Sequence, residues 1–267
     1  MGQTSVRRWL DKLEYRETLG TGSTDGLIFD GDAALRDFLA GPGAAIPGRL
    51  LYAKVWGSHS HGTQLPSSDV DYLAVYQLPT RSVLGLDSWP DTVDGKGPDF
   101  KSHEIGKFAQ LLMKGNPGVV EMLFTERMQV TSPAWDALRA RRLMALNQAT
   151  LGQYLGYCDS QLRRLRNGAR LHTSGGAYNT KWGYHLLRVA LNAELIAKGQ
   201  EPVVSETGDR LAHLMRVRAG EFTPEEIAAQ YEAIRTRIDI TGGDLPETAD
   251  KASLEQWLWE RRQAYPE

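Results

Sequence analysis

The stretch "VWGSHSHGTQLPSSDVDYLAVY", residues 55–76, decides how the first half of the chain is read. It joins two apolar runs. "RLLYAKVWG" (49–57) reads as a strand ended by glycine, and "VDYLAVYQL" (70–78) as a second strand ended by Pro79. Between them come Gly57-Ser58, a polar loop, and then Asp69 and Asp71 at the mouth of the second run. Side chains alternate faces along a strand, so these two acids are expected on one side, with Cα atoms about 6.5 Å apart. Carboxylates held that close repel each other unless water or a cation neutralises them. Mg²⁺ prefers oxygen ligands and binds one or two carboxylates together with substrate phosphates. A strand ending in Gly-Ser offers backbone N–H groups and a hydroxyl to an anion, and Gly62 permits a close backbone approach. A D-x-D pair alone is more often a wet strand start. An anion cradle followed by a carboxylate pair is what nucleoside triphosphate chemistry needs.

Outward from this stretch, residues 5–17 read as a helix, and "GDAALRDFLAG" (31–41) as another, opened at Gly31-Asp32 and stopped by Gly41-Pro42-Gly43. Residues 80–98 carry Pro, Gly and Asp and read as an excursion outside the packed elements. "DFKSHEI" (99–105) reads as a short strand running into a helix over 106–114, broken by "GNPG", after which "VVEMLF" resumes apolar structure. Beyond residue 132 the apolar period is helical in "AWDALRARRLMALN", "TLGQYLGYCDSQLRRLRNG", "NTKWGYHLLRVALNAELIAKG", "TPEEIAAQYEAIRTRIDI" and "SLEQWLWERRQAY". The expected class is therefore α/β (α+β): a small mixed sheet with helices over residues 1–130, then a helical region over 131–267 that closes a cleft.

At 267 residues, 41% hydrophobic and 24% charged, the chain has the composition of a soluble globular protein with a real core. No apolar run approaches the roughly 20 residues of a membrane span, and the charged N-terminus lacks a secretory pattern. Val6 occupies the position where an N-myristoylation motif needs Ser or Thr. A lone Cys158 excludes an intrachain disulfide and is expected in the core, so the compartment reads as cytoplasmic. The net charge of −2 excludes a protein that binds nucleic acid by bulk charge. Basic residues cluster nonetheless at Arg139, Arg141, Arg142, Arg163, Arg164, Arg166 and Arg170.

"GSHSHGTQLPSSDVDYLAVY" resembles the G-S…S-D-x-D signature of the DNA polymerase β-like nucleotidyltransferase superfamily. "DFKSHEIGKFAQLLMKGNPGVVEMLF" and "KWGYHLLRVALNAELIAKG" resemble a narrower branch of it, the RNA-repair-pathway polymerase β family. The resemblance spans roughly residues 50–225. It implies that Gly57 and Ser58 hold a triphosphate and that Asp69 and Asp71 bind two divalent ions, Mg²⁺ or Mn²⁺. It further implies that a third carboxylate comes from a neighbouring strand. Asp99 and Glu104 are the candidates for that third acid, and the family pattern favours Asp99. Without the resemblance, Asp99 reads as a turn residue after Gly97-Pro98.

Lys181, His185 and Arg188 fall at i, i+4 and i+7 of one helix, a stripe without acids that suits a triphosphate or a nucleic-acid backbone. The resembled family has Lys, His and Arg at these positions. Arg163, Arg166 and Arg170 form a second stripe, fit either for an RNA backbone or for solvated charge. Tyr154, Tyr157, Trp182 and Tyr184 read as packing residues. His59 and His61 supply two of the four ligands a structural zinc needs, with no Cys pair nearby, so zinc is disfavoured. Glu121 reads as a helix residue facing the cleft, and "RAGEFT" (218–223) matches the family without an assignable chemistry. The expected reaction transfers a nucleoside monophosphate from an NTP to an acceptor hydroxyl, by resemblance an RNA end, with pyrophosphate released. A small-molecule or protein acceptor is the alternative, as is a non-catalytic nucleotide-binding module.

Overall fold

The computed structural model describes residues 28–126, 129–171, 178–241 and 245–266. The expected helix over residues 5–17 lies outside them. The elements in chain order are β1 (Ile28–Phe29), α1 (Ala33–Ala40), β2 (Arg49–Trp56), α2 (Gly57–His61), β3 (Asp71–Gln77), α3 (Thr80–Leu84), β4 (Thr92–Gly95), β5 (Phe100–Glu104), α4 (Ile105–Met113), α5 (Pro117–Leu123), β6 (Val130–Thr131), α6 (Pro133–Arg139), α7 (Gln148–Leu171), α8 (Thr180–Ala197), α9 (Gly208–Arg218), α10 (Pro224–Thr241) and α11 (Lys251–Ala264). They form two compact units. One runs through residue 111 and adds 125–141 and the chain from 251; the other comprises 112–124 and 142–250.

The first unit is built on a six-stranded mixed sheet of order β1-β6-β2-β3-β5-β4. Strands β2 and β3 run antiparallel from Arg49↔Gln77 to Trp56↔Asp71, while β3 and β5 are parallel, with Tyr72 opposite Phe100 and Tyr76 opposite Glu104. Alternation then sorts the two faces. On one, Phe38 of α1 stacks on Tyr72 at 4.2 Å and meets Phe100 edge-on at 5.2 Å, within a buried cluster that includes Leu35, Leu39, Ile46 and Ala74. Helix α1 starts where Asp32 accepts the Leu35 N–H and ends at Gly41, the limits its sequence predicts. On the other face, Tyr52 stacks on Trp135 of α6 at 4.3 Å, Phe108 of α4 meets the same indole, and Trp257 of α11 donates to the Ala134 carbonyl. The final helix thus belongs to the sheet unit. Its Arg262 binds Glu104 with two bonds, at 2.7 and 2.8 Å, and the Arg261 carbonyl accepts from Gln77.

Two local expectations change. Residues 80–98 contain α3 and the edge strand β4, which pairs antiparallel with β5 from Thr92↔His103 to Gly95↔Phe100. Four residues are too few to declare a period, so the strand exists because β5 offers it a ladder. Asp69 also lies ahead of β3, since β2 turns away into α2 after Trp56 and leaves residue 69 without a partner strand. The face-sharing expected of Asp69 and Asp71 by strand alternation therefore does not apply.

The second unit is helical. Gly168 of α7 takes the indole of Trp182 on α8, and Gly183 of α8 takes Ile227 of α10, so small residues let three helices approach closely. Tyr154, Tyr184 and Tyr231 are fully buried, as is Cys158, whose thiol burial pushes up to about 12. Gly115, in the left-handed region, abuts the Thr150 backbone, which fixes the turn between α4 and α5.

Candidate active site at one end of the sheet

The strand directions bring the acids and the Gly-Ser turn to one end of the sheet. Antiparallel pairing sets the C-terminus of β2 beside the N-terminus of β3, and parallel pairing sets the start of β5 beside the same point. Gly57 opens α2 directly after Trp56, the register partner of Asp71. Its φ is +64°, and a Cβ built on it would stand 3.1 Å from Asp71 Cγ and overlap the Oδ2 oxygen outright. The Asp71 carboxylate therefore rests against the glycine that precedes Ser58. Glycine is required here twice, by the dihedral and by the oxygen. Asp99 immediately precedes β5, where its carbonyl accepts the Tyr72 N–H at 3.0 Å, one residue before the Tyr72↔Phe100 pair. Asp71 and Asp99 thus occupy equivalent positions on neighbouring parallel chains. Asp69 and Asp99 are exposed, and Asp71 is half-buried.

Glu104, the other candidate third acid, sits at the opposite end of β5. There it accepts from Arg262, from Gly106 N–H and from Leu78 N–H. Among the described residues, no group of three His, Cys, Asp or Glu side chains is gathered tightly enough to hold a metal ion as the chain stands. The donors at the Asp71 end are nonetheless all carboxylate oxygens, the ligand type that Mg²⁺ and Mn²⁺ take. His61 packs edge-on against Trp56 at 5.7 Å, and His59 approaches the Ser68 carbonyl at 3.5 Å, so the two histidines shape the loop. Gly62 closes α2 in the left-handed region, its N–H bonded to the Ser58 carbonyl, which is a helix-ending role.

Lys54 joins this end of the sheet without having been singled out by its sequence. Register places it opposite Leu73, hence on the Asp71 face of the sheet, and it is buried. A lysine inside the apolar run "LLYAKVW" was the available signal.

In the helical unit the Lys181–His185–Arg188 stripe does not form one wet face. Lys181 is exposed. His185 is largely covered, and burial, with Arg188, Arg218 and Lys181 nearby, lowers its pKa to about 4, so it is neutral near pH 7. Arg188 is buried and donates to both Glu121 oxygens, at 3.0 and 3.1 Å. Glu121 also accepts from Asn192, whose amide oxygen accepts from Arg210, which pairs with the buried Glu206. Glu121 was expected to face a cleft; it anchors this closed network instead. Arg163 and Arg166 are exposed on α7, with Glu232 of α10 at 3.7 Å from Arg166; the side chain of Arg170 lies outside the described residues.

A family model for the RNA repair pathway DNA polymerase beta family matches residues 34–255. No curated protein matches the chain.

Proposed function

The chain belongs to the RNA repair pathway DNA polymerase beta family, a polymerase β-like nucleotidyltransferase family, and from that premise we propose that it transfers a nucleoside monophosphate from an NTP to an acceptor hydroxyl, releasing pyrophosphate. The observation that carries this reading is the Asp71 carboxylate lying against Gly57, with Asp99 at the equivalent position on the next strand. Asp69, Asp71 and Asp99 are the residues that would hold two Mg²⁺ or Mn²⁺ ions. When bound, such ions neutralise the triphosphate and acidify the attacking hydroxyl.

The chain's own groups supply the rest. Gly57 lets the Asp71 carboxylate lie against the backbone ahead of Ser58, whose hydroxyl would donate to a phosphate. Lys181, the exposed cation of its stripe on the helical unit, offers its charge to a phosphate of the RNA. Arg188 is not assigned to phosphate, because it is committed to Glu121. His185, on the same helix, is neutral near pH 7 and adds no charge to that stripe. The acceptor we propose is the end of an RNA, on the strength of the family and of the exposed Arg163 and Arg166.

The test is incubation with each α-labelled NTP, Mg²⁺ or Mn²⁺, and short RNAs. Label moving to RNA is expected and should vanish in Asp69→Asn. Label on protein or small molecules would move the acceptor. Nucleotide binding without pyrophosphate release under any acceptor would replace the enzyme with a nucleotide-binding module.

A further inference from the structure

At the end of β3 and β5 opposite to Asp71 and Asp99, the sheet unit opens a cavity of about 140 Å³ lined by Leu78, Val83, Asp87, Trp89, Asp91 and Glu104. The segment that supplies Val83, Asp87 and Trp89 to the cavity exposes large apolar side chains in close succession. Val83 is 43% exposed, Leu84 80%, Leu86 fully and Trp89 47%. An apolar surface of this kind marks a site of contact. Its backbone is pinned at both ends. Thr80 bonds the Arg262 and Tyr265 carbonyls, and the Pro90 carbonyl accepts from Tyr76 while that of Asp91 accepts from Glu104 N–H.

The charges of the cavity decide what fits. Asp91 is matched by Lys107 at 3.0 Å and Glu104 by Arg262 at 2.7 Å. Asp87, exposed at the mouth, has no ion-pair partner among the described residues. Three carboxylates against two cations leave one negative charge beside an open indole. A purely apolar partner would cover the Asp87 carboxylate without compensating it, and a nucleic acid would be repelled. An aliphatic stem ending in a planar cation meets every requirement. Such a stem would lie along Val83, with its guanidinium over Trp89 and its N–H groups toward Asp87.

We propose that this cavity receives an arginine side chain of a partner polypeptide, with apolar residues flanking that arginine covering Leu84 and Leu86. The site is separate from the nucleotidyltransferase reading and stands without it. The probe is acetyl-Ala-Leu-Arg-Leu-Ala-amide, titrated into the full chain and followed by tryptophan fluorescence, alongside the same peptide with citrulline in place of arginine. Saturable binding is expected, weakened about fivefold or more by citrulline, by Asp87→Asn or by Trp89→Ala. Pyrophosphate release by these two variants should equal that of the parent. Four results would each overturn the proposal: equal affinity for the citrulline peptide; spermidine or free arginine binding as tightly as the peptide; an oligoribonucleotide whose binding is lost in Trp89→Ala; or self-association abolished by Leu84→Ser with Leu86→Ser, which would make the occupant a second copy of the chain.

Discussion

Replacing Gly57 by alanine tests the contact on which the proposed chemistry depends. Two effects act at that position. The residue sits at φ +64°, where an L side chain costs about 1–2 kcal/mol. The added methyl would stand 3.4 Å from Asp71 Cβ, an ordinary approach, but would occupy the place of the carboxylate oxygen Oδ2. The strands can therefore stay paired while the carboxylate rotates away. Gly199→Ala separates the two effects, since its φ is +68° and a Cβ there meets nothing within 4 Å. Both variants should lose about 1–2 kcal/mol in urea unfolding, with Gly57→Ala losing up to about 1 kcal/mol more. Gly57→Ala alone should lose pyrophosphate release by about a hundredfold or more, since displacing a catalytic group by about 1 Å costs that much. Asp71→Asn should match that loss with an unfolding midpoint near the parent's. Full turnover in Gly57→Ala would refute the placement of Asp71 as the group that gathers the ions.

Other perturbations read the packing and charge. Truncating one partner of the buried Arg188–Glu121 pair, as in Glu121→Gln, should cost about 3–5 kcal/mol by calorimetry. Arg188→Met with Glu121→Leu should recover much of it, and a mild single-variant effect would place both groups in water. Gly168→Val should destabilise the helical unit by about 2 kcal/mol or more, read by thermal melting, because its branch would meet the Trp182 ring. His103 and His185 both have pKa values lowered to about 4, first by burial, so the unfolded chain binds more protons between about pH 6.5 and 4. Stability should therefore be intact above pH 6.5 and fall as pH drops toward 4, by about 2–3 kcal/mol per histidine. A urea midpoint flat over that range would refute both assignments. Changing Arg163, Arg166 and Arg170 together to alanine should weaken RNA binding and flatten its dependence on salt. An unchanged slope would remove the stripe from the RNA surface.

The centre of the sheet was legible because its signals are local. An apolar run stopped by Gly57, a polar loop, and a second run led by Asp71 specify β2 and β3 without reference to distant residues, although the loop opens with the short helix α2. Asp32 announced the start of α1 in the same way. Elements fixed by remote partners were not legible. Strands β1, β4 and β6 are two to four residues long, and α9, "GDRLAHLMRVR", alternates charged and apolar residues too irregularly to stand out. Arg188 illustrates the same limit at the level of a site residue. Its helix position suggested a wet stripe, but its acid lies 67 residues away in the chain and turns it inward. That Asp99 and Glu104 lie at opposite ends of β5 likewise follows from strand direction, which no local signal gives.

The return of α11 to the sheet bears on how a newly made chain matures. Synthesis proceeds from the N-terminus, so the strands bearing Asp71 and Asp99 leave the ribosome long before residues 251–266. Until that last helix emerges, Glu104 lacks the guanidinium of Arg262 and Trp257 has yet to reach α6. A nascent chain would thus carry its acidic residues on an unfinished scaffold, and a stop codon ahead of residue 251 would leave it so.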